Sequence, residues 1–260
     1  MKIRHFIVTY KNPPLLEQCI RSILATDAGE HQREIFVINN HSQFSLPGDL
    51  GNRVSVIHNA ARADFSTGHL SRNWNQALIL GFESLTAPKA DLVICSQNDS
   101  IFAPNYLSQL IAQHAAFDII TQGIGDNAVS YKPQGVRQVG LWDERFCNIG
   151  YQEADYFLRL AKYLGNKASI NDVFHGRVLN PISQVLITQG ETGFNRRDPA
   201  HMASMTFHAH SRKMFFKKWN LPDPEKWGDI SGVTEQIDSY VLYPYFEKDV
   251  LTLRQQKFAI

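Results

Sequence analysis

The sequence predicts an α/β fold, a mostly parallel sheet flanked by helices and followed by a C-terminal extension of helical and irregular character. Three observations predict it. Short apolar runs rich in β-branched and aromatic residues alternate with stretches of helical periodicity through the N-terminal half. Those runs are apolar at nearly every position, as in strands buried on both faces between helix layers. Several of them end abruptly in polar residues, at the strand ends where open α/β sheets bind their ligands.

Residues 3–10 form the first such run, stopped by Asn12-Pro13-Pro14. Residues 15–24 carry apolar side chains at helical spacing, and 34–38 read as a second buried strand ending in Asn39-Asn40-His41-Ser42. Residues 54–58 give a third strand, 71–84 a helix, and 91–95 a fourth strand followed by Gln97-Asn98-Asp99. A helix over 105–114 and a strand over 117–121 follow. The second half is less regular: 136–146 reads as strand and loop, and 153–164 as a helix after a turn at Gly150. Residues 202–219 form an aromatic and basic helix, expected to pack its aromatics inward and leave its charges solvated. The other reading of residues 212–219 is a peripheral contact with a membrane surface.

Composition narrows the function. With 260 residues, 43% of them hydrophobic and 20% charged, the chain can bury a substantial core. Lys and Arg number 26 against 25 Asp and Glu, too balanced for a protein that works chiefly through nucleic-acid phosphates. Cys19, Cys95 and Cys147 are odd in number and far apart, which argues against a disulfide framework and for a reducing compartment. No secretory leader and no run of about 18 uncharged apolar residues is visible, so a cytoplasmic location is expected. Gly123-Ile124-Gly125-Asp126-Asn127-Ala128 fits a dinucleotide-binding pattern, but strand or loop follows it instead of a helix, so it reads as a turn.

The order of these segments over residues 3–220 resembles the family 2 glycosyltransferases, which have a GT-A fold. The residues that carry the resemblance are Thr9-Tyr10 at the first strand end, Asn39-Asn40-His41-Ser42 at the second, and Arg72-Asn73 at a helix start. Further along come Gln97-Asn98-Asp99, Gly140-Leu141-Trp142-Asp143-Glu144-Arg145-Phe146, and Gln152-Glu153-Ala154-Asp155 leading to Arg159. Asn39, Gln97 and Gln152 stand where the family carries acids.

The resemblance implies a GT-A catalytic core over residues 1–176, with a nucleotide half over 1–100 and an acceptor half over 101–176, and an extension over 177–260 packed on it. It implies donor contacts from Thr9, Tyr10, Asn39, Arg72, Asn73, Gln97 and Asn98, and acceptor contacts from Trp142 and Asp143. Asp99 and His175 would hold Mn²⁺ or Mg²⁺, an imidazole ligand favouring Mn²⁺. The general base would be Glu153 or Asp155, residues about 200° apart on a helix. Asp155 is an i, i+4 partner of Arg159, which leaves Glu153 as the choice. The implied activity is inverting transfer from a nucleoside-diphosphate sugar, with UDP as the first expectation, to a glycan or lipid-linked glycan. The alternatives are a non-catalytic relative that binds nucleotide sugar or glycan, and a sugar nucleotidyltransferase.

Overall fold

The computed structural model describes residues 1–10, 12–40, 44–59, 70–122, 126–146, 150–172, 177–179, 187–189 and 211–219. The first half runs β1 (Lys2–Thr9), α1 (Pro13–Ala25), β2 (Gln32–Asn39), α2 (Gly48–Gly51), β3 (Ser55–His58), α3 (Leu70–Phe82), β4 (Leu92–Gln97). The second continues with β5 (Ser100–Phe102), α4 (Tyr106–Gln113), β6 (Ile119–Gln122), β7 (Ala128–Tyr131), α5 (Pro133–Val139), α6 (Tyr151–Tyr163), β8 (Ala168–Asp172), β9 (Arg177–Leu179) and β10 (Ile187–Gln189). Residues 211–218 form a further helix, α7.

The main sheet has the order β3-β2-β1-β4-β7-β6-β8-β9, and β10 pairs with β5 in a small ribbon. β3, β2, β1 and β4 are all parallel, as the apolar runs predict. β7 then enters antiparallel between β4 and β6, β8 runs parallel to β6, and β9 antiparallel to β8, so the far half of the sheet is mixed.

The alternation of side chains along each strand divides the core between the two faces. Ile3 and Ile7 of β1 pack with Leu16 and Ile20 of α1 and Leu110 of α4. Phe6 and Val8 point the other way, into a core with Trp74 and Leu78 of α3, Val136 of α5 and Phe157 of α6. α1 begins sharply because the Asn12 side chain accepts a hydrogen bond from the Leu15 N–H and Pro13 opens the helix. α3 lies close on β4 at Gly81, where a Cβ would stand 2.4 Å from Val93 Cγ2.

Two expectations need correction. Residues 133–139 form helix α5, not strand, with Pro133 at its start and Gly140 at its end. α7 does turn Phe215, Phe216 and Trp219 inward, against Phe146 and Tyr151, Ala154 and Leu158 of α6. Lys218, expected in solvent, is buried with them. Cys19 and Cys95 are buried and unbonded. Among the described residues no helix is long and apolar enough to cross a membrane.

Candidate active site

The parallel register aligns the strand ends. Thr9 lies opposite Asn39, Asn39 opposite His58, and Val8 opposite Gln97, so β1 to β4 present their carboxyl ends as one row. Side chains then lock the row. Asn98 Nδ2 donates to Thr9 Oγ1 at 3.0 Å, and the Asn39 amide nitrogen lies 2.9 Å from His58 Nδ1. Asn59, just past β3, donates to Asn40 Oδ1 at 2.8 Å and to Asn73 Oδ1 at 3.2 Å. The first turn of α3, with Arg72 and Asn73, is thereby joined to the ends of β2 and β3. Tyr10, Asn98 and Asp99 are buried at the same edge. The structure thus brings together seven of the sequence-predicted donor residues: Thr9, Tyr10, Asn39, Arg72, Asn73, Gln97 and Asn98. Four of the seven are amides, able both to donate and to accept, and Arg72 adds a positive charge.

Asp126, which the sequence reading passed over, joins this row to α6. It sits before β7 and is 1% exposed. Gln97 Nε2 donates to its Oδ1 at 2.6 Å, and Trp74 Nε1 to its Oδ2 at 2.7 Å. Gln152 Nε2 lies 3.4 Å from the same Oδ2, and its Oε1 accepts from Ser71 at 3.0 Å. The amides at two expected acidic positions, 97 and 152, therefore both turn toward a carboxyl group contributed from elsewhere. Burial pushes the Asp126 carboxyl up to about 6, against the opposing pull of its hydrogen bonds from Trp74 and Gln97.

Glu153 is set by the start of α6. Gly150 takes φ 99°, a conformation that favours glycine, and donates its backbone N–H to the Glu153 carboxylate. Glu153 is 5% exposed at the third position of the helix, where the helix dipole favours its negative charge. The arrangement fixes a buried carboxylate at the head of α6, next in sequence to Gln152, which reaches Asp126.

Asp155 is engaged elsewhere. Its carboxylate meets Arg159 Nη2 at 3.0 Å, Lys218 Nζ at 2.5 Å and Trp219 Nε1 at 3.0 Å, and it has no exposed surface. Its place in the fold is to bind α6 to α7, which removes it from the choice of base. Asp143 belongs to the same cluster: Lys218 Nζ lies 2.9 Å from its Oδ2, and so does Arg145 Nη2. Burial opposes ionisation of Asp143, but the Arg145 hydrogen bonds and the Lys218 charge outweigh it and hold the carboxyl below its usual range. Burial pushes the Lys218 ammonium down, against the pull of Asp155 and Asp143. Arg159 also donates to the carbonyls of Val139 and Leu141 at 3.2 and 2.7 Å, fixing the segment that carries Trp142.

The acceptor role expected of Trp142 is not supported by its placement. Its ring stacks on Tyr156 at 4.1 Å between centroids, its Nε1 donates to Tyr131 Oη, and it is 1% exposed. It is a core residue, without an aromatic face to offer a sugar.

For a metal, the described residues offer no ready-made cage. No group of three or more His, Cys, Asp or Glu side chains suited to an ion occurs among them. Asp99, 3% exposed in the turn between β4 and β5, is the carboxylate nearest the strand-end row in sequence. Its negative charge, after burial, helps push the Cys19 thiol up. His175 lies outside the described residues, as does most of the segment beyond it.

The sequence matches no family model and no curated protein. Solved structures do match. Staphylococcus aureus TarS aligns at 11% identity over 86% of this chain, with a TM-score of 0.53; the chain spans 41% of that structure's length. A structure of TarS residues 1–349 aligns over 91% of this chain and 70% of its own length, at 11% identity and a TM-score of 0.55. The same segment solved with UDP-GlcNAc aligns over 99% and 73%, at 11% identity and a TM-score of 0.53. At this identity the likeness speaks for architecture, and it agrees with the strand order and flanking helices described above. The chain has a GT-A-type glycosyltransferase fold.

Proposed function

We propose that this chain is an inverting glycosyltransferase that moves a sugar from a nucleoside-diphosphate sugar to a hydroxyl acceptor. The observation that carries the reading is the placement of Glu153. A buried carboxylate, fixed by Gly150, stands at the head of α6, and its neighbour Gln152 is linked through Asp126 to Gln97 in the strand-end row of a GT-A-type sheet. The UDP-GlcNAc complex of the TarS segment supports a nucleotide sugar as the donor class.

In this reading Thr9, Tyr10, Asn39 and Asn98 line the nucleotide, and Arg72 and Asn73 approach it from α3. The acceptor hydroxyl gives its proton to Glu153 as its oxygen bonds to the anomeric carbon. The bond from that carbon to the diphosphate breaks, and the electron pair leaves with the diphosphate. Attack from the face opposite the leaving group inverts the anomeric centre. Asp99 would hold a divalent cation, with diphosphate oxygens supplying further ligands; such a cation neutralises charge on the leaving group. Residues 1–176 then serve as the catalytic core, and the later segment acts partly through α7, which braces α6.

A non-catalytic relative is the second reading, favoured by the amides at Asn39, Gln97 and Gln152. Turnover separates the two. Incubation with nucleoside-diphosphate sugars and glycan acceptors is expected to release nucleoside diphosphate. Binding without release would favour the non-catalytic reading. Release of pyrophosphate from a nucleoside triphosphate and a sugar phosphate would mean nucleotidyl transfer.

A further inference from the structure

We infer that Asp126 is a positioning residue for the donor site: it fixes the Gln97 amide with the carbonyl oxygen turned away from itself, so that position 97 offers a ligand an uncharged hydrogen-bond acceptor. The inference rests on the reading of the strand-end row as the site of the nucleotide sugar. Gln97 closes β4, opposite Val8 of β1, and is half-buried there. Asp126 precedes β7, the next strand of the sheet, and the Gln97 backbone N–H donates to the carbonyl of the following Asn127 at 3.0 Å. Main chain and side chain of Gln97 are therefore held by the same segment.

The two oxygens of Asp126 have separate tasks. Oδ2 accepts from Trp74 Nε1 at 2.7 Å and lies 3.4 Å from Gln152 Nε2, while Oδ1 accepts from Gln97 Nε2 at 2.6 Å. A carboxylate accepts and does not donate, so Gln97 must present its NH₂ to Asp126 and turn its oxygen elsewhere. That Oε1 accepts no hydrogen bond among the described residues and is not sealed from solvent. Gln152 differs: its Oε1 accepts from Ser71 at 3.0 Å, so its amide is engaged at both ends and braces α6 against α3. Of the two amides held by Asp126, Gln97 is thus the one with an oxygen to offer a ligand. An uncharged oxygen accepts a ligand O–H or N–H without adding negative charge to a site that must hold a diphosphate.

Asp126→Asn tests this selectively. Asparagine has one side-chain oxygen, and Trp74 Nε1 can only donate, so that oxygen stays in the Oδ2 place and keeps the contacts to Trp74 and Gln152. Its NH₂ then faces Gln97, which must reverse its amide and present NH₂ in place of oxygen. Binding of UDP in the presence of Mn²⁺, measured by calorimetry, is expected to weaken by about three- to tenfold in Asp126→Asn and by a similar factor in Gln97→Ala. The double variant is expected to bind no more weakly than Gln97→Ala alone, because Asp126 acts through Gln97. Losses that multiply in the double variant, or unchanged binding in Asp126→Asn, overturn the inference.

Hydrogen exchange of the Gln97 side-chain NH₂, followed by NMR and assigned by its absence in Gln97→Ala, gives a readout that needs no ligand. One proton is expected to exchange slowly in the wild type, and both rapidly in Asp126→Asn. Equal exchange in the two proteins overturns the inference. If the wild type binds neither UDP nor GDP, TDP, CDP or ADP, the nucleotide-sugar reading fails instead, and the exchange result alone decides whether Asp126 fixes the amide.

Discussion

Glu153→Gln is expected to lower turnover by about 10²- to 10⁴-fold, the usual contribution of a general base, with the fold intact. Glutamine keeps the length of the side chain, and its carbonyl oxygen can still accept the Gly150 N–H that starts α6. What it lacks is a site for the acceptor proton. Binding of the donor should survive, because the residues proposed to line it, Thr9, Asn39 and Asn98, lie on other elements. The check is turnover beside the melting temperature of both proteins. A large loss of activity with an unchanged melting temperature agrees with a base. Undiminished turnover would exclude Glu153 from the chemistry.

Lys218→Ala is expected to be the most destabilising single change in the cluster between α6 and α7. The ammonium bridges Asp143 at 2.9 Å and Asp155 at 2.5 Å, and all three side chains are buried. Removing it leaves two buried carboxylates with less than their share of positive charge, which costs about 3–5 kcal/mol when a buried pair is broken. For a chain of this size that is a fall in melting temperature on the order of 10 °C. Added salt should rescue little of it, since a buried pair is poorly screened. Thermal denaturation checks this, and a loss below about 1 kcal/mol would mean that the cluster behaves like an exposed ion pair.

Much of the fold is legible in the sequence because its strands are continuous apolar runs and its helices have clear periodicity. β1 to β4 could be read on that basis, and so could the polar residues at their ends, where burial gives way to a ligand edge. α5 escaped because it is only seven residues long. Val136-Arg137-Gln138-Val139 shows too little of the helical period to stand out, although Pro133 and Gly140 mark its ends.

The site was harder to read, for a different reason. Asp126 is a lone acid after a glycine-containing stretch of sequence, and its partners Trp74, Gln97 and Gln152 lie 52, 29 and 26 residues away. The local signal that was present is an acid just before an apolar strand, a weak one. Lys218 is hidden in a similar way. In a run of basic residues every lysine reads as solvated, and only the meeting of α6 and α7 selects one for burial. Trp142 misled in the opposite direction: a tryptophan beside an aspartate suits a sugar site, yet Tyr156, fourteen positions on, covers its ring.

The most direct measurement is the melting temperature of the chain with UDP, GDP, TDP, CDP and ADP, each with and without Mn²⁺. A nucleoside diphosphate at 100 times its dissociation constant stabilises the folded state by about 2.7 kcal/mol, a clear shift. One of these diphosphates, UDP by first expectation, should raise the melting temperature, and more so with Mn²⁺ if Asp99 holds the ion. Absence of a shift from all of them, with and without the ion, would contradict transfer from a nucleoside-diphosphate sugar.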